Sequence, residues 1–163
     1  MRAPQWIKKL GGHAGELYVA AELSKRGIPN ALLPENFSGD DIMIGKKDGS
    51  DIAFIQVKSC HPDRADSFIL HKNHERWIDA ADNQFVIFVW LGSPKKNESP
   101  RYWIAPKKDV GEACLKHPEH GTDHWDRRFF PQDSGPDRVP DSARLNPKWE
   151  DNWGVFKRYI VLE

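Results

Sequence analysis

The stretch GDDIMIGKKDGSDIAFIQVKS, residues Gly39–Ser59, decides the fold. Two apolar runs, 41–44 and 52–58, flank the charged turn GKKDGS. Asp48-Gly49 within that turn is a strong hairpin signal. Side chains alternate between the faces of a strand, so Gln56 and Lys58 share one face while Ile55 and Val57 share the other. Strand interiors favour apolar residues. Asp41, Gln56 and Lys58 therefore each need a partner or a task, and a hairpin can bring Asp41 beside the Gln56–Lys58 face.

Working outward, Gly15 to Arg26 (GELYVAAELSKR) has helical spacing at Leu17, Ala20, Ala21 and Leu23, with Gly27 as its stop. Residues 28–33 turn back toward the core. Beyond the hairpin, 67–70 forms a short extended piece and 73–81 a helix. Gln84–Leu91 (QFVIFVWL) is apolar throughout and short, the pattern of a strand buried on both faces. A further strand over 101–105 and a helix over 106–116 complete the regular part. The segment 117–147 is rich in Pro, Gly, Asp and His and reads as a long irregular loop. Apolar residues return in 149–162, which packs back on the domain. The order predicts one α/β domain over residues 1–163, a central mixed sheet flanked by helices.

Composition narrows the function classes. Lys plus Arg equals Asp plus Glu at 24 each, so bulk charge does not drive binding to nucleic acid, although local patches can. The N-terminus, MRAPQWIKKLGG, lacks the apolar core of a secretory signal, and no apolar stretch reaches bilayer length. Two cysteines, Cys60 and Cys114, make no disulfide framework. The expectation is a reduced, cytoplasmic protein.

An acid, a turn, an amide oxygen and an ammonium two residues on suit metal-assisted phosphodiester hydrolysis. Magnesium takes hard oxygen ligands and retains waters, so few protein oxygens seat it. A bound divalent ion activates water and neutralises developing phosphate charge. A nearby ammonium orients that water or stabilises the transition state. Glu16, Asp41 and Lys58 together carry one net negative charge, and a divalent ion turns this into one positive charge that accepts a phosphodiester.

Glu16 in an N-terminal helix, then Gly39-Asp40-Asp41-Ile42, then Gln56-Val57-Lys58-Ser59 resembles the PD-(D/E)xK nuclease superfamily. The sub-pattern is similar to Holliday-junction resolvases and small restriction-endonuclease-like proteins. The resemblance covers roughly residues 11–106. It implies a restriction-endonuclease-like core, with Asp41, Gln56 and Glu16 as ligands of Mg2+ or Mn2+ and Lys58 as the catalytic lysine. Gln56 departs from the pattern, since an acid is usual there; it offers a carbonyl oxygen without charge. His13 and Ser59 are lesser candidates for substrate contact.

Each residue also has a plain structural reading. Asp41 could end a strand, with Asp40 or Asp51 in its role; Lys58 could blunt a sheet edge; Glu16 could be an ordinary first-turn acid. Cys114, His117, His120 and His124 could hold zinc, but Pro118 and Gly121 break any helix that would align them. Cys60 and His61 follow the strand closely enough to reach its site. The Lys-Lys pairs at 8–9, 46–47, 95–96 and 107–108 read as solvated surface. Trp77, Trp90 and Trp103 read as core; Trp125, Trp149 and Trp153 either pin the C-terminal third or stack on bases. The resulting expectation is a metal-dependent nuclease acting on nucleic acid, more readily DNA, with a two-fold homodimer by family analogy. The alternatives are a catalytically silent binding module on the same fold and an interaction protein using exposed aromatics.

Overall fold

The quoted stretch folds as the hairpin its turn demands. In the computed structural model, which describes residues 4–35, 39–118 and 126–161, β2 (Ile42–Ile44) pairs antiparallel with β3 (Ala53–Cys60). The Asp48 carboxylate closes the turn by accepting from the Ser50 amide at 3.0 Å. Strand β1 (Asn30–Leu32) adds to the outer edge of β2. On the other side β3 runs parallel to β5 (Gln84–Trp90), which pairs antiparallel with β6 (Arg101–Pro106). The five-stranded sheet has the order β1-β2-β3-β5-β6 and is mixed. It is the expected α/β core, a mixed sheet flanked by helices.

Each face of this sheet has its own core. Ile55 of β3, Phe85, Ile87 and Val89 of β5, and Tyr102 and Ile104 of β6 point to the first face. Helix α1 (Gln5–Lys25) covers it with Val19 and Leu23, and the 3-10 segment Trp153–Tyr159 closes it with Trp153, Phe156 and Tyr159. Val86, Phe88, Trp103 and Ala105 point to the second face. Helix α2 (Lys107–Lys116), β4 (Phe68–His71) and the 3-10 segment Lys72–Asp79 lie there, with Phe68, Leu70, Trp77, Val110 and Cys114 facing in. β5 supplies apolar side chains to both cores, which explains its unbroken hydrophobic run.

Several elements depart from the sequence reading for identifiable reasons. Helix α1 begins at Gln5, ten residues before the expected start. Glycine is a poor helix former, but Gly15 is required by packing: a Cβ there would lie 1.9 Å from Ser59 Oγ and 3.4 Å from Val57 Cγ1. Tertiary contact overrides propensity through the Gly11-Gly12-His13-Ala14-Gly15 run. The helix expected over 73–81 is a 3-10 segment over 72–79; it has one inward apolar anchor, Trp77, and no stripe to favour α geometry. The stretch 117–147 includes β7 (Asp126–Phe129), which pairs with β4 in a second, two-stranded sheet. Phe129, Ala143 and Leu145 from this polar stretch are buried.

Trp103, Trp149 and Trp153 are buried, and Trp77 and Trp90 pack against the second core. The two C-terminal tryptophans thus pin the tail, whereas Trp125 lies outside the described residues. No described helix is long and apolar enough to cross a membrane.

Helix α2 and the 72–79 segment meet at Gly111, where a Cβ would sit 2.4 Å from the Ile78 nitrogen and 2.6 Å from the Trp77 carbonyl carbon. Backbone atoms cannot rotate aside. Gly111→Ala should therefore cost about 1–3 kcal/mol of stability, read as a lowered urea midpoint; an unchanged midpoint would show that the two segments are free to separate.

Candidate site at the open edge of β3

Strand β2 is short, and this creates the site. It pairs only with Ala53, Phe54 and Ile55, whereas β3 runs on to Cys60 beside β5. Beyond Ile55 the ladder between β2 and β3 opens. Asp41 stands at the opening. Its amide donates to the Ile55 carbonyl at 2.9 Å, and its own carbonyl accepts from the Leu33 amide at 2.8 Å. Its carboxylate then takes the next rung, accepting from the Val57 amide at 2.7 Å through Oδ2. Two main-chain bonds and one side-chain bond fix this residue.

Glu16 and Lys58 approach Asp41 from opposite faces of the sheet. Gly15 seats α1 against Val57 and Ser59, so the next residue, Glu16, reaches the opening and interacts electrostatically with Asp41. Lys58 lies on the second face, half-buried, where the Asp41 charge is its main attraction. His13, one turn earlier on α1, interacts electrostatically with Glu16.

Protonation follows from this crowding. Burial, with the Asp41 charge second, raises the Glu16 carboxyl above its ordinary range. Burial also raises Asp41, against the lowering effects of the Val57 amide and Lys58. Burial, opposed by Asp41 and assisted by Lys107, lowers the Lys58 ammonium. Burial and the neighbouring like charge thus both favour the protonated form of Glu16.

The other sequence candidates fall on both sides of this geometry. Gln56 is half-buried, and alternation puts it on the Lys58 face. Ser59 faces the other way, against Gly15, with its hydroxyl buried and unpartnered. Cys60 is buried, its thiol pushed up to about 12 chiefly by burial; it belongs to the second core. His61 accepts from the Asp63 amide beyond the strand end. His117 is buried, with Nε2 on the Arg128 carbonyl at 2.9 Å and its ring edge-on to Phe129. Cys114 sits in the second core. His120 and His124 lie outside the described residues, and among those described no three His, Cys, Asp or Glu side chains gather as a metal cage.

Sequence reasoning missed three neighbours, Lys107, Trp77 and His74. Lys107, read as one of a solvated pair, is 6 % exposed; its ammonium binds the buried Asp40 carboxylate at 3.1 Å. Lys108 is the exposed member and pairs with Asp82. Asp40 is thus taken and does not substitute for Asp41. Trp77 and His74 pack edge to face beside Lys58 and Lys107. Burial, with Lys58 second, holds His74 down to about 4, so it is neutral at pH 7. The doubled acid Asp40-Asp41 and a lysine directly after the β6 proline were the available signals.

Glu16 and Asp41 provide carboxylate oxygens, and Gln56 can provide an uncharged one from the adjoining strand. This donor chemistry fits a hard divalent cation that keeps several of its waters. It does not fit zinc or another soft metal, for which nitrogen and sulfur ligands would be expected.

The chain resembles solved structures in fold. A bacterial homing endonuclease, I-Ssp6803I, superposes with a TM-score of 0.52 at 15% identity, over 92% of this chain and 91% of that one. No protein-family profile matches the sequence. No curated protein matches it either. The likeness establishes a fold shared with a nuclease across nearly the full length.

Raised carboxyl affinities have a signed consequence for stability. The folded state holds a proton on Asp41 more tightly than the unfolded chain does. Its contribution is therefore fully favourable below about pH 4 and is lost as pH rises through the raised folded value. Asp41→Asn keeps an oxygen for the Val57 amide and removes the charge. It should melt higher than wild type at pH 8, with the difference shrinking toward pH 4. Comparing the two cancels the opposite effect of His74, whose depressed affinity costs stability as pH falls from about 6.5 toward 4. A lower melting temperature for Asp41→Asn at pH 8 would contradict the assignment.

Proposed function

We propose that this protein is a metal-dependent nuclease of the PD-(D/E)xK type, in its QxK form, that hydrolyses phosphodiester bonds of nucleic acid, DNA before RNA. One observation carries the reading: an acid fixed across the opening of a strand pair, with a second acid on one side and a half-buried lysine on the other. The full-length likeness to a homing endonuclease supports it.

Asp41, Glu16 and Gln56 would hold Mg2+ or Mn2+. When bound, such an ion supplies an activated water and a counter-charge for the phosphate. Asp41 presents its free oxygen in a fixed direction because Oδ2 is spent on the Val57 amide. Glu16, whose proton affinity is raised by burial and by the nearby Asp41 charge, would serve as a ligand in its deprotonated form. Lys58 is the residue for the attacking water: burial lowers its proton affinity, which favours its accepting or orienting a proton of that water, and its charge in the protonated state favours the pentavalent phosphorane. His74, uncharged at pH 7, does not compete with it for the phosphate. His13, exposed one turn from Glu16, suits contact with the substrate backbone.

The test combines plasmid, linear, branched and single-stranded DNA and RNA with Mg2+, Mn2+ or chelator. Wild type should cleave at least one substrate only with the metal. Lys58→Ala should lose about 100-fold or more in rate while melting like the wild type. Cleavage that persists in Lys58→Ala, or that ignores chelator, would overturn the proposal. Metal-independent binding of nucleic acid without cleavage by either protein would instead favour a silent binding module; the neutral amide at Gln56 is the feature that motivates this second reading.

A further inference from the structure

Lys58 is held by a seat, and the seat centres on Trp77. Its indole ring receives two ammonium groups. The Lys58 Nζ lies 5.9 Å from the ring centroid and the Lys107 Nζ 5.1 Å from it. Cations near an aromatic face are attracted by the ring quadrupole. The two lysines are otherwise mutually repulsive, and the indole gives both a counter-surface without adding a carboxylate that would neutralise either.

The ring itself is clamped. His74 packs edge-on against it with centroids 4.3 Å apart. Behind it the backbone of 77–78 lies against Gly111 of α2 with no space for a methyl group. Lys107, at the first position of α2, is tied to Asp40 at 3.1 Å, and Asp40 is bonded through the chain to Asp41. The contacts thus form a loop: Asp41 to Asp40, Asp40 to Lys107, Lys107 to Trp77, Trp77 to Lys58, and Lys58 back to the Asp41 charge. A long flexible amine loses much of its rotamer freedom only when several groups confine it. The loop provides that confinement from a different element than the strand that carries the lysine.

We infer that Trp77 is a positioning residue, whose ring, braced by α2 and the Asp40–Lys107 pair, holds the Lys58 ammonium at the open edge of β3. The inference rests on the reading of Lys58 as the residue that handles the attacking water. Trp77 touches neither water nor phosphate and acts through Lys58.

The experiment measures placement and turnover separately. Placement is read from the Cε–Hε NMR signal of Lys58, assigned by its disappearance in Lys58→Arg. In wild type the Trp77 ring current should displace it from the position of a solvated lysine. Trp77→Leu should return it to that position, and Trp77→Phe should keep part of the displacement. Turnover, on whichever substrate wild type cleaves, should fall about 3- to 30-fold in kcat in Trp77→Leu, with KM unchanged and partial recovery in Trp77→Phe. A Lys58 signal at the solvated position in wild type would overturn the inference. So would wild-type kcat in Trp77→Leu, or equal losses in the Leu and Phe variants. If Trp77→Leu does not fold, wild type and Trp77→Phe carry the comparison, the smaller ring giving the smaller displacement. If wild type cleaves nothing, the nuclease reading falls, and the NMR comparison alone decides whether Trp77 holds Lys58.

Discussion

A single carboxylate takes the place of a missing strand residue, and the site depends on that substitution. Where β2 ends, β3 would present an unpaired amide at Val57. The Asp41 side chain supplies the acceptor that a longer β2 would have provided. A buried amide without a partner would cost roughly 1–3 kcal/mol, so the carboxylate is anchored by the sheet's own need for hydrogen bonds. The same act carries a negative charge into a half-buried position, where it disfavours ionisation of Glu16 on the helix side and attracts Lys58 from the other. Ending β2 early thus both opens the edge and fills it.

Around this point the protein keeps its charges partly desolvated. Asp40 and Lys107 form a buried pair whose mutual attraction does little more than offset the cost of removing both from water. Lys58 and His74 both lose proton affinity to burial. Arrangements like this sacrifice stability for a defined local field, and perturbed groups clustered in one place are what makes a functional-site candidate. The second core makes the arrangement rigid: Phe88, paired with Lys58 across β3 and β5, is fully buried among aromatics beneath it.

The sheet was legible because its signals are local. Asp48-Gly49 specifies a hairpin, and the apolar run of β5 specifies a strand between two layers. Asp41, Gln56 and Lys58 were legible as chemistry because polar residues in strands need a reason. What escaped depends on sequence-distant contacts. Lys107 looks like surface beside Lys108 until Asp40, far away in the chain, is placed against it. Ser59 reads as a neighbour of Lys58 by number, but alternation sends it to the opposite face, into Gly15. The first ten residues of α1 hide behind three glycines because the close approach that makes Gly15 necessary is invisible without β3. Strand β7 joins β4 across more than fifty residues of chain, so a polar segment such as Asp126–Phe129 gives no local hint of its partner.

The first core has a further property that bears on how the molecule comes to exist. Trp153, Phe156 and Tyr159 complete the packing of α1 against the sheet, Arg26 stacks over Trp153 at 4.3 Å, and the Val161 amide bonds to the Gly27 carbonyl. Residues made early are sealed by residues made late. During synthesis, the apolar side of α1 and of three strands therefore stays uncovered until the segment around 153–159 has left the ribosome. Closing contacts over such a span is slow, and exposed apolar surface in that interval is where a nascent chain meets chaperones or aggregates.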